Sequence, residues 1–574
     1  MNKALIFLLF LTSNSISAQE FLNLGFEYTI QNTEEPEIWY TGNPPYEVSV
    51  DTIQNNQSAQ SLKIECETYK ENAFGFISNV LPFKYAKGKS IELKGKVKTE
   101  KVKNGYAGLW LNAQNDDGSN TFDNMNERGL TSSTEWTEVS IKLDIKHSVN
   151  NITFGALLTG QGKAWFDNLE IYIDGQLFND AKQQYSEPTK EEIDWLKQNI
   201  QTLKTYEISD NNNDLNFLSK VIGNSKIVAL GENTHGSSEI FKMKSRLVKY
   251  LQENENFNIF SIEANMPEAY KLNDYIIDGK GNPINLIKGM YFWTWRTQEV
   301  LNMVEWMKTN SHSTQNISFT GFDMQYYNSS MQIIEKMFGD NSDTSNLTTK
   351  LEEKLKEISE RKRNTNSSVI SLNDKDIISK LTTALKSRVR DLKISKKEMD
   401  WLTQNIRLIE QYVDISNKNR DKYMAENVLW IKSQNPNSKI VVWAHNGHIK
   451  ETGNSMGKYL ADSLKSDYIS IGFAFYEGNY TATGDNGLTS YKAQKAEVGS
   501  YEYLFNKVDE PIFLLDLRPI KNSETELSKI NLKNSLFRNV GALNTINEFY
   551  KTDLSNDFDM IIFIKTSSNS KLLD

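Results

Sequence analysis

Apolar and polar residues alternate in short runs over residues 19–175. Stretches such as "SLKIECETY" (61–69), "KSIELKGKVKTE" (89–100) and "KAWFDNLEIYID" (163–174) carry an apolar residue at about every second position. Turn residues separate these runs, and no long stretch of helical period interrupts them. Repeated short strands of this kind are typical of an antiparallel β-sandwich. The pattern therefore predicts a β-sandwich over residues 19–175.

The pattern changes after residues 176–192, a polar stretch with Pro188 that we interpret as a linker. From residue 193 to 574, helical segments alternate with short, almost wholly apolar runs at 226–230, 257–263, 317–322, 439–444, 468–475, 511–517 and 559–565. Strands that are apolar on both faces are typical of a parallel sheet covered by helices. We therefore expect a multidomain protein, in which an α/β domain with a mainly parallel sheet follows the β-sandwich.

One part of the second domain has no run typical of a strand. Between Asn341 and Asn435, stretches such as "KDIISKLTTALKSRVRDL" (375–392) and "KEMDWLTQNIRLIEQYVDI" (397–415) have apolar residues near positions i, i+3, i+4 and i+7. That spacing is typical of amphipathic helices. It predicts a helical insertion at about residues 341–435.

Composition and charge narrow the class of protein. The 574 residues are too many for one core, and 24% charged with 38% hydrophobic residues is a globular composition. The formal net charge of −9 and the lack of a long Lys/Arg stripe argue against a nucleic-acid partner, because such binding requires a basic surface. The single cysteine, Cys66, excludes an intramolecular disulfide and a cysteine-based zinc cluster.

The first residues have the pattern of a secretory signal peptide. Lys3 precedes an apolar run over residues 4–11, and Ala18 is a small residue at a plausible cleavage point. The apolar run is far shorter than the ~20 residues that span a bilayer, and no later segment has spanning length. We therefore expect a signal peptide at 1–18, no transmembrane span, and a secreted or periplasmic protein.

Acidic and imidazole groups stand where the predicted parallel strands end. The groups that directly follow these apolar runs are Glu232, His235, Glu263, Asp323, His445 and His448. In open α/β sheets the ligand crevice lies at the carboxyl edge of the strands. Three of the five histidines of the chain fall in two of these loops. Glu232, His235, Glu263, His445 and His448 are therefore our predicted active-site residues.

Each residue also has an interpretation without catalysis. Glu232 could cap a helix that starts near Ser237, Asn446 and Gly447 could form only a turn, and Asp323 could bond its own loop. Three histidines and two carboxylates could also hold zinc, although His445 and His448 lack the spacing of a metalloprotease helix. Without a G-x-S-x-G motif, a metal-free hydrolase would use one imidazole as general base on water. Another histidine, or the backbone amide of Gly236, could then stabilise an oxyanion.

Several motifs follow one another along residues 193–574. They are "GENTHG" (231–236) followed by Glu239 and Glu263, "WTWRTQEVLNMVEWMKTN" (293–310), "GFDMQ" (321–325), "RDKYMAENVLWI" (420–431) and "VVWAHNGH" (441–448). Together these motifs resemble the erythromycin esterase family. The resemblance implies hydrolysis of an ester, such as a macrolide lactone, by activated water without a cofactor. It places catalysis on Glu232, His235, Glu263, His445 and His448, with His235 as general base.

We assign substrate binding in this domain to Trp293, Trp295, Asp323, Lys244 and Arg296. Lys244 stands where the type enzymes carry arginine, so a bidentate guanidinium contact would be lost there. The tryptophans could wall a bulky apolar ligand or pack in the core. A zinc-dependent hydrolase on the same residues, and a glycan-binding surface protein with an inactive hydrolase domain, remain alternatives to the esterase.

The N-terminal domain has a weaker resemblance of its own. "FLNLGFEYT" (21–29) and "AWFDNLEIYIDG" (164–175) resemble jelly-roll carbohydrate-binding modules of secreted bacterial enzymes. The resemblance implies a jelly-roll fold and a carbohydrate partner. Its aromatic residues could form a sugar-stacking platform or belong to the core; they are Trp39, Tyr40, Tyr106 and Trp110.

Overall fold

The computed structural model describes residues 21–30, 33–42, 44–68, 73–178, 185–208, 211–310, 316–339, 342–365, 370–416, 418–484, 486–521, 535–545 and 548–573. The predicted signal peptide at 1–18 lies outside these residues. The chain divides into an N-terminal unit that ends at Ser186 and a C-terminal unit that starts at Glu187, and the short segment 545–551 groups with the N-terminal unit.

The N-terminal unit is built from antiparallel strands. They are β1 (Tyr40–Gly42), β2 (Glu47–Asp51), β3 (Ser61–Cys66), β4 (Phe74–Val80), β5 (Ser90–Asn115), β6 (Asn120–Asp123), β7 (Leu130–Asp144), β8 (Val149–Thr159), β9 (Gln161–Ile173) and β10 (Gln176–Leu177). The strand order is β1-β4-β8-β5-β9-β3-β2, with β6 and β7 beside β5 and β10 beside β9. The first part of β5 pairs with β9 and its last part with β8, so this long strand joins the two halves of a near-barrel sheet.

The alternating apolar runs at 89–100 and at 105–113 ("GYAGLWLNA") each predict a strand, and both are parts of β5. Lys101 and Asn104 between them have positive φ angles of 54° and 56°, and the pairing register of β5 shifts there. The left-handed conformation bends the strand without ending it, which the apolar alternation does not predict. In β3 the alternation itself holds, since Leu62 and Ile64 are buried while Lys63 between them is not.

The four aromatic residues of the predicted sugar platform lie in different environments. Trp39 is 1% exposed within the core of the unit, and Tyr106 is also buried. Trp110 is half-buried, and its indole N–H donates to the carbonyl of Ile77 at 3.1 Å. Tyr40, at 47% exposed, is the member of the set most open to solvent. Trp39 therefore packs in the core and cannot stack on a sugar.

The remaining strands are β11 (Ile200–Thr202), β12 (Ile227–Leu230), β13 (Phe257–Asn265), β14 (Ser318–Asp323), β15 (Lys439–Trp443), β16 (Tyr468–Gly484), β17 (Gly487–Lys492), β18 (Ile512–Asp516), β19 (Ser535–Arg538), β20 (Phe549–Thr552) and β21 (Met560–Ser567). The large sheet of the C-terminal unit has the order β11-β18-β21-β16-β12-β15-β13-β14, with β17 beside β16. The strands from β21 to β14 run parallel, whereas β11 and β18 form an antiparallel edge. The sheet is thus mixed. The apolar runs do not predict the direction of each strand, because a wholly buried run has the same pattern in either direction.

The helices are α1 (Lys190–Asn199), α2 (Phe217–Ile222), α3 (Ser238–Glu255), α4 (Met266–Tyr270), α5 (Leu272–Asp278), α6 (Pro283–Lys288), α7 (Gln298–Thr309), α8 (Asn328–Phe338), α9 (Ser342–Thr365), α10 (Leu372–Arg388), α11 (Lys396–Asp414), α12 (Arg420–Gln434), α13 (Asn446–Ile449), α14 (Met456–Leu464), α15 (Tyr501–Asn506), α16 (Arg518–Lys521) and α17 (Leu554–Asp557). Helices α9 to α11, within the region predicted as a helical insertion, enclose a small apolar core together with α8, which precedes that region. Throughout the described ranges, every helix is too short or too polar to cross a membrane.

Candidate active site

The site lies at the carboxyl edge of the parallel strands in the C-terminal unit. β15 pairs with β12 on one side and with β13 on the other, and β14 follows β13. Glu232 and His445 lie two residues beyond the ends of β12 and β15. Glu263 lies two residues before the end of β13, and Asp323 is the last residue of β14. This register brings loops that are far apart in the chain to one edge of the sheet, as the sequence predicts.

His235 and Glu232 form a hydrogen-bonded pair. Nδ1 of His235 donates to Oε1 of Glu232 at 2.7 Å. Oε2 of Glu232 accepts from the Nζ of Lys244 at 2.5 Å and from the indole N–H of Trp443 at 2.7 Å. Glu232 is fully buried and its carboxylate is held by three donors. The imidazole of His235 is therefore fixed through Nδ1, and Nε2 is the nitrogen left for a substrate or water.

Lys244 lies behind Glu232 and is fully buried. Burial lowers its pKa to about 8, although the neighbouring Glu232 acts in the opposite direction. The ammonium also lies 4.2 Å from the ring centroid of Trp443. This predicted substrate-binding residue therefore contacts the partner of the base, and in this structure a substrate could not reach it.

The loop between β12 and α3 is held by close packing. A Cβ on Gly236 would lie 1.9 Å from the carbonyl oxygen of Thr481, so only glycine fits at this position. The N–H of Gly236 donates to the hydroxyl of Thr234 at 3.3 Å. This backbone amide, a possible oxyanion donor from the sequence, therefore already has an acceptor. The cap of α3 is Ser237, whose hydroxyl accepts from the N–H of Ile240 at 3.3 Å, and it is not Glu232.

Glu263 is the centre of a second charged cluster. Its Oε1 accepts from Nη2 of Arg420 at 2.8 Å and lies 3.2 Å from Nε2 of His448, and its Oε2 accepts from the backbone N–H of His445 at 3.1 Å. Burial alone would raise the pKa of this carboxyl, but His448 and Arg420 together hold it well below its usual range. Glu263 is therefore an ionised carboxylate that organises the loop of His445.

His448 has an acidic partner at each ring nitrogen. Nδ1 donates to Asp421 at 2.8 Å, and Nε2 faces Glu263. Burial opposes protonation, but the two carboxylates raise the pKa of His448 to about 10. The ring is thus an imidazolium at neutral pH, and it cannot accept a proton from water. Its chemistry is that of a fixed positive charge.

His445 is a neutral histidine that lies between His235 and His448. Burial and the neighbouring rings of His235 and His448 lower its pKa well below the usual value. Its Nδ1 accepts the N–H of Gly447 at 3.1 Å, so the proton lies on Nε2. That nitrogen is buried and makes no hydrogen bond of normal geometry to any described residue. The ring centroids of His445 and His235 lie 5.2 Å apart, so the Nε2–H donor is close to the base.

Asp323 is buried behind Arg420. Its carboxylate accepts from Nη2 of Arg420 at 2.6 Å and from its own loop, through the N–H of Met324 at 2.8 Å and the amide of Gln325 at 2.6 Å. Because Asp323 is fully buried, it orients Arg420 and a substrate could not contact it in this structure.

Arg420, Asp421 and Trp443 are residues of the site that sequence reasoning missed. Arg420 and Asp421 begin α12, and Trp443 is the last residue of β15. Reasoning from strand ends alone could not find residues at a helix start. The available signal was that all three lie inside the motifs at 420–431 and 441–448 that carry the family resemblance.

The aromatic loop before α7 forms one wall. Trp295 is buried, donates to the carbonyl of Glu263 at 2.9 Å, and has its ring centroid 5.9 Å from that of His235. Trp293 is half-buried, and Arg296 donates to the carbonyl of Tyr291 at 2.5 Å. Tyr291, with a positive φ of 69°, packs on Tyr326 with ring centroids 4.4 Å apart. At 36% and 38% exposed, these two tyrosines present more surface than Trp295 does.

The histidine and carboxylate side chains of the site suit a network of ion pairs better than a metal centre. In the part of the chain that the structure describes, no three His, Cys, Asp or Glu side chains are grouped so that they could hold a metal ion. Glu263, the most central carboxylate, already faces the guanidinium of Arg420 and the imidazolium of His448. A divalent cation there would repel both groups.

Three comparisons place the C-terminal unit among known proteins. Over 372 residues the chain is 27% identical to "Putative hydrolase YbfO" of Bacillus subtilis (strain 168), covering 58% of this chain and 82% of that protein. It is 25% identical over 342 residues to "Erythromycin esterase type II" of Escherichia coli, covering 52% and 80%. A crystal structure of a Bacillus cereus protein superposes with a TM-score of 0.58 at 26% identity, covering 67% of this chain and 99% of the other.

The N-terminal unit has distant likenesses among solved structures. A xylan-binding domain from Paenibacillus barcinonensis covers 27% of this chain at 17% identity with a TM-score of 0.21, which is too low to indicate a shared ligand. Carbohydrate binding by this unit therefore stays a prediction.

A family model assigns the C-terminal unit directly. The model described as "Erythromycin esterase" matches residues 252–567, more than half of the 574 residues. The matched range contains Glu263, His445 and His448, and Glu232 and His235 lie just before it. The chain belongs to the erythromycin esterase family.

Proposed function

We propose that this protein hydrolyses a carboxylic ester, such as a macrolide lactone, by attack of a water molecule that His235 activates. The observation that carries the proposal is the pairing of His235 Nδ1 with the buried carboxylate of Glu232, which leaves Nε2 as the proton acceptor. Membership of the erythromycin esterase family and the hydrolase names of its relatives support the reaction class.

The proposed reaction needs one proton transfer in each direction. Nε2 of His235 takes a proton from water as the oxygen attacks the ester carbonyl, and Glu232 stabilises the imidazolium that forms. The tetrahedral intermediate then breaks the bond between carbon and the alcohol oxygen, and His235 returns the proton to that oxygen. The products are a carboxylic acid and an alcohol, or one hydroxy acid from a lactone.

His445 is the proposed donor to the developing oxyanion. Its Nε2–H is neutral, buried and close to His235, so a hydrogen bond to negative charge would be made in a site of low polarity. Arg420 and His448 neutralise the carboxylate of Glu263 on the same side of the site. Glu263 holds the His445 loop by its backbone N–H.

Serine chemistry has less support than water attack. The hydroxyl of Ser237 caps α3 and accepts from Ser567 at 2.8 Å, and that of Ser238 donates to Glu299 at 2.6 Å. The hydroxyls that follow His235 in the chain are therefore engaged with other partners. Cys66, the single cysteine, belongs to the N-terminal unit.

The aromatic rim supports a bulky, largely apolar substrate. Tyr291 and Tyr326 offer exposed ring surface beside the wall formed by Trp295. A macrolide has a large apolar face that could pack on these rings, and the name of the Escherichia coli relative supports that substrate class.

We propose in addition that the protein is exported after cleavage behind Ala18. The test is to recover the protein from outside the cytoplasm and to measure the mass of its N-terminal peptide.

The test is an ester-hydrolysis screen with macrolides and acylated sugars. We expect His235→Ala to lower the rate by ~10²–10⁴-fold, the usual contribution of a general base. The matched control is His147→Ala, which removes an exposed histidine of the N-terminal unit and should leave the rate unchanged. Near-wild-type turnover by His235→Ala would contradict the proposed role.

The same screen separates the alternatives. Activity that is abolished by a chelator and restored by one equivalent of zinc would favour a zinc-dependent hydrolase. Binding of glycans by the wild type and by His235→Ala alike, with no ester turned over by either, would favour a glycan-binding protein.

A further inference from the structure

The segment 567–573, which we call the clamp segment, runs between two loops of the candidate site. One is the base loop, residues 234–239, which contains His235 and leads into α3. The other is the aromatic loop, residues 293–299, which contains Trp295 and leads into α7. Isolated β-bridges join the clamp segment to both loops, at Ser237 with Asn569 and at Thr297 with Leu572.

The clamp segment is bonded to the residues that follow His235. The N–H of Ser570 donates to the carbonyl of Gly236 at 2.7 Å, and the N–H of Ser238 donates to the carbonyl of Ser568 at 2.9 Å. Glu239 accepts both the N–H and the hydroxyl of Ser568, each at 2.6 Å. The two carboxylate oxygens of Glu239 are therefore both used to hold the clamp segment against the base loop.

A second set of bonds reaches the aromatic loop. The N–H of Gln298 donates to the carbonyl of Lys571 at 2.7 Å, and the N–H of Leu573 donates to the carbonyl of Arg296 at 2.8 Å. The N–H of Lys571 donates to Glu299 at 3.2 Å. Glu299 also accepts the hydroxyl of Ser238 at 2.6 Å, so this carboxylate touches the clamp segment and the base loop together.

The clamp segment is fixed from a third side by β16. The hydroxyl of Thr481 donates to the carbonyl of Ser570 at 2.9 Å, and the N–H of Thr481 donates to the carbonyl of Gly236 at 3.0 Å. The carbonyl of Gly236, the residue next to His235, thus accepts from both the clamp segment and β16. A shift of the clamp segment would therefore move Gly236 and, through the chain, the adjacent backbone of His235.

We propose that the clamp segment is a positioning element of the hydrolytic reaction, with Glu239 and Glu299 as its positioning residues. Glu239 sets the place of His235, and Glu299 keeps the aromatic loop in register with the base. Both carboxylates lie in the first turn of their helices, where the positive end of the helix dipole favours a negative charge. The inference rests on the proposed function, because it assigns these residues to the same reaction.

The two residues should affect different kinetic constants. A displacement of about 1 Å at a reacting group can cost ~10²-fold in rate even when the changed residue does not touch the substrate. The bonds of Glu239 join the clamp segment to the base loop, so its loss should lower kcat and leave KM nearly unchanged. Glu299 holds both loops, so its loss should also raise KM, and more for a bulky ester than for a small one.

The experiment compares Glu239→Gln and Glu299→Gln in the full chain with the control Glu255→Gln. Glutamine keeps the size of the side chain but replaces one acceptor oxygen with a donor, so one bond to the clamp segment is lost. Glu239 lies in the first turn of α3, and Glu255 is the last residue of the same helix. Glu255 is therefore far from the clamp segment along the helix. We expect kcat to fall by ~10–100-fold for Glu239→Gln, with an unchanged pH profile, and to stay at the wild-type value for Glu255→Gln.

A second measurement needs no substrate. Diethyl pyrocarbonate modifies accessible imidazole nitrogens, and mass spectrometry gives the rate at each histidine. We expect the rate at His235 to change several-fold in Glu239→Gln, while exposed His147 of the N-terminal unit serves as an internal standard. If Glu239→Gln does not fold, Ser568→Ala removes only the hydroxyl donor and takes its place.

The outcomes separate the two proposals. If the wild type hydrolyses no ester, the proposed function fails, and the modification rate at His235 still decides whether the clamp segment positions that side chain. A kcat and a modification rate in Glu239→Gln that equal those of Glu255→Gln would overturn the inference. So would a loss of activity that only follows the loss of folded protein.

Discussion

Two histidines at the same edge of one sheet have opposite surroundings. His235 has one nitrogen bonded to a carboxylate and the other left open, whereas His448 faces Asp421 at one nitrogen and Glu263 at the other. The first arrangement suits a group that takes up a proton and releases it. The second keeps the proton at neutral pH, because the pKa of His448 is raised to about 10. The number of carboxylates around an imidazole thus separates a base from a structural cation.

His445 lies between the two and extends the comparison. No carboxylate bonds its ring, and burial beside the other two histidines lowers its pKa well below the usual value. Three histidines in one site are therefore suited to three roles: proton acceptor, neutral donor and fixed cation. A histidine side chain alone predicts none of these roles.

The largest expected effect is on the cluster of fixed charges. Arg420→Met would leave the buried carboxylates of Glu263 and Asp323 without their shared cation. We expect the free energy of unfolding of the C-terminal unit to fall by about 3–5 kcal/mol. Denaturation followed by tryptophan fluorescence measures this change.

The matched control for Arg420 is Arg407→Met. Arg407 pairs with Glu426 at 2.9 Å but is 39% exposed, so its loss should cost at most about 1 kcal/mol. Equal losses for the two variants would show that the Glu263 cluster is no more important for stability than a surface pair.

The next effect is a pH dependence of stability through His448. Its pKa in the folded state, about 10, is above the unfolded value of about 6.5. The stabilisation is therefore complete below about pH 6.5 and is lost as the pH rises through 10. We expect wild type to lose about 4 kcal/mol more than His448→Gln between pH 7 and pH 10.5. Parallel stability curves for the two proteins would show that the imidazolium does not stabilise the fold.

A smaller effect is expected at the base. Lys244→Met removes one of three donors to Glu232, and the two that remain limit the loss of stability to about 2 kcal/mol. Because Glu232 then interacts more strongly with the imidazolium of His235, the acidic limb of kcat/KM should move to higher pH.

The control for Lys244 lies on the same helix. Lys249→Met breaks a pair with Glu253, which is exposed at the carboxylate, and should cost about 0.5 kcal/mol without moving the pH profile. A pH profile that is the same in both variants would contradict the coupling of Lys244 to the base.

Strand periodicity predicted the strands that carry the site, but it did not predict every residue of the site. The apolar runs predict β12, β13, β14 and β15, and the polar residues that follow these strands lie at one edge in the structure. Arg420 and Asp421 start a helix about 100 residues further along the chain than Asp323, so no local pattern connects them with Glu263. Trp443 ends β15, where its residue type resembles ordinary packing, and Lys244 was predicted to bind substrate although it contacts Glu232.

The sequence by itself determined the period of each element, the order of the all-β unit and the α/β unit, and the groups available for chemistry. Those properties are local, since they depend on which residues follow one another. Only the tertiary structure decided which carboxylate meets which nitrogen, because burial and hydrogen bonding depend on neighbours that are distant in the chain. The direction of β18, the enclosure of Lys244 and the charge of His448 all follow from such neighbours.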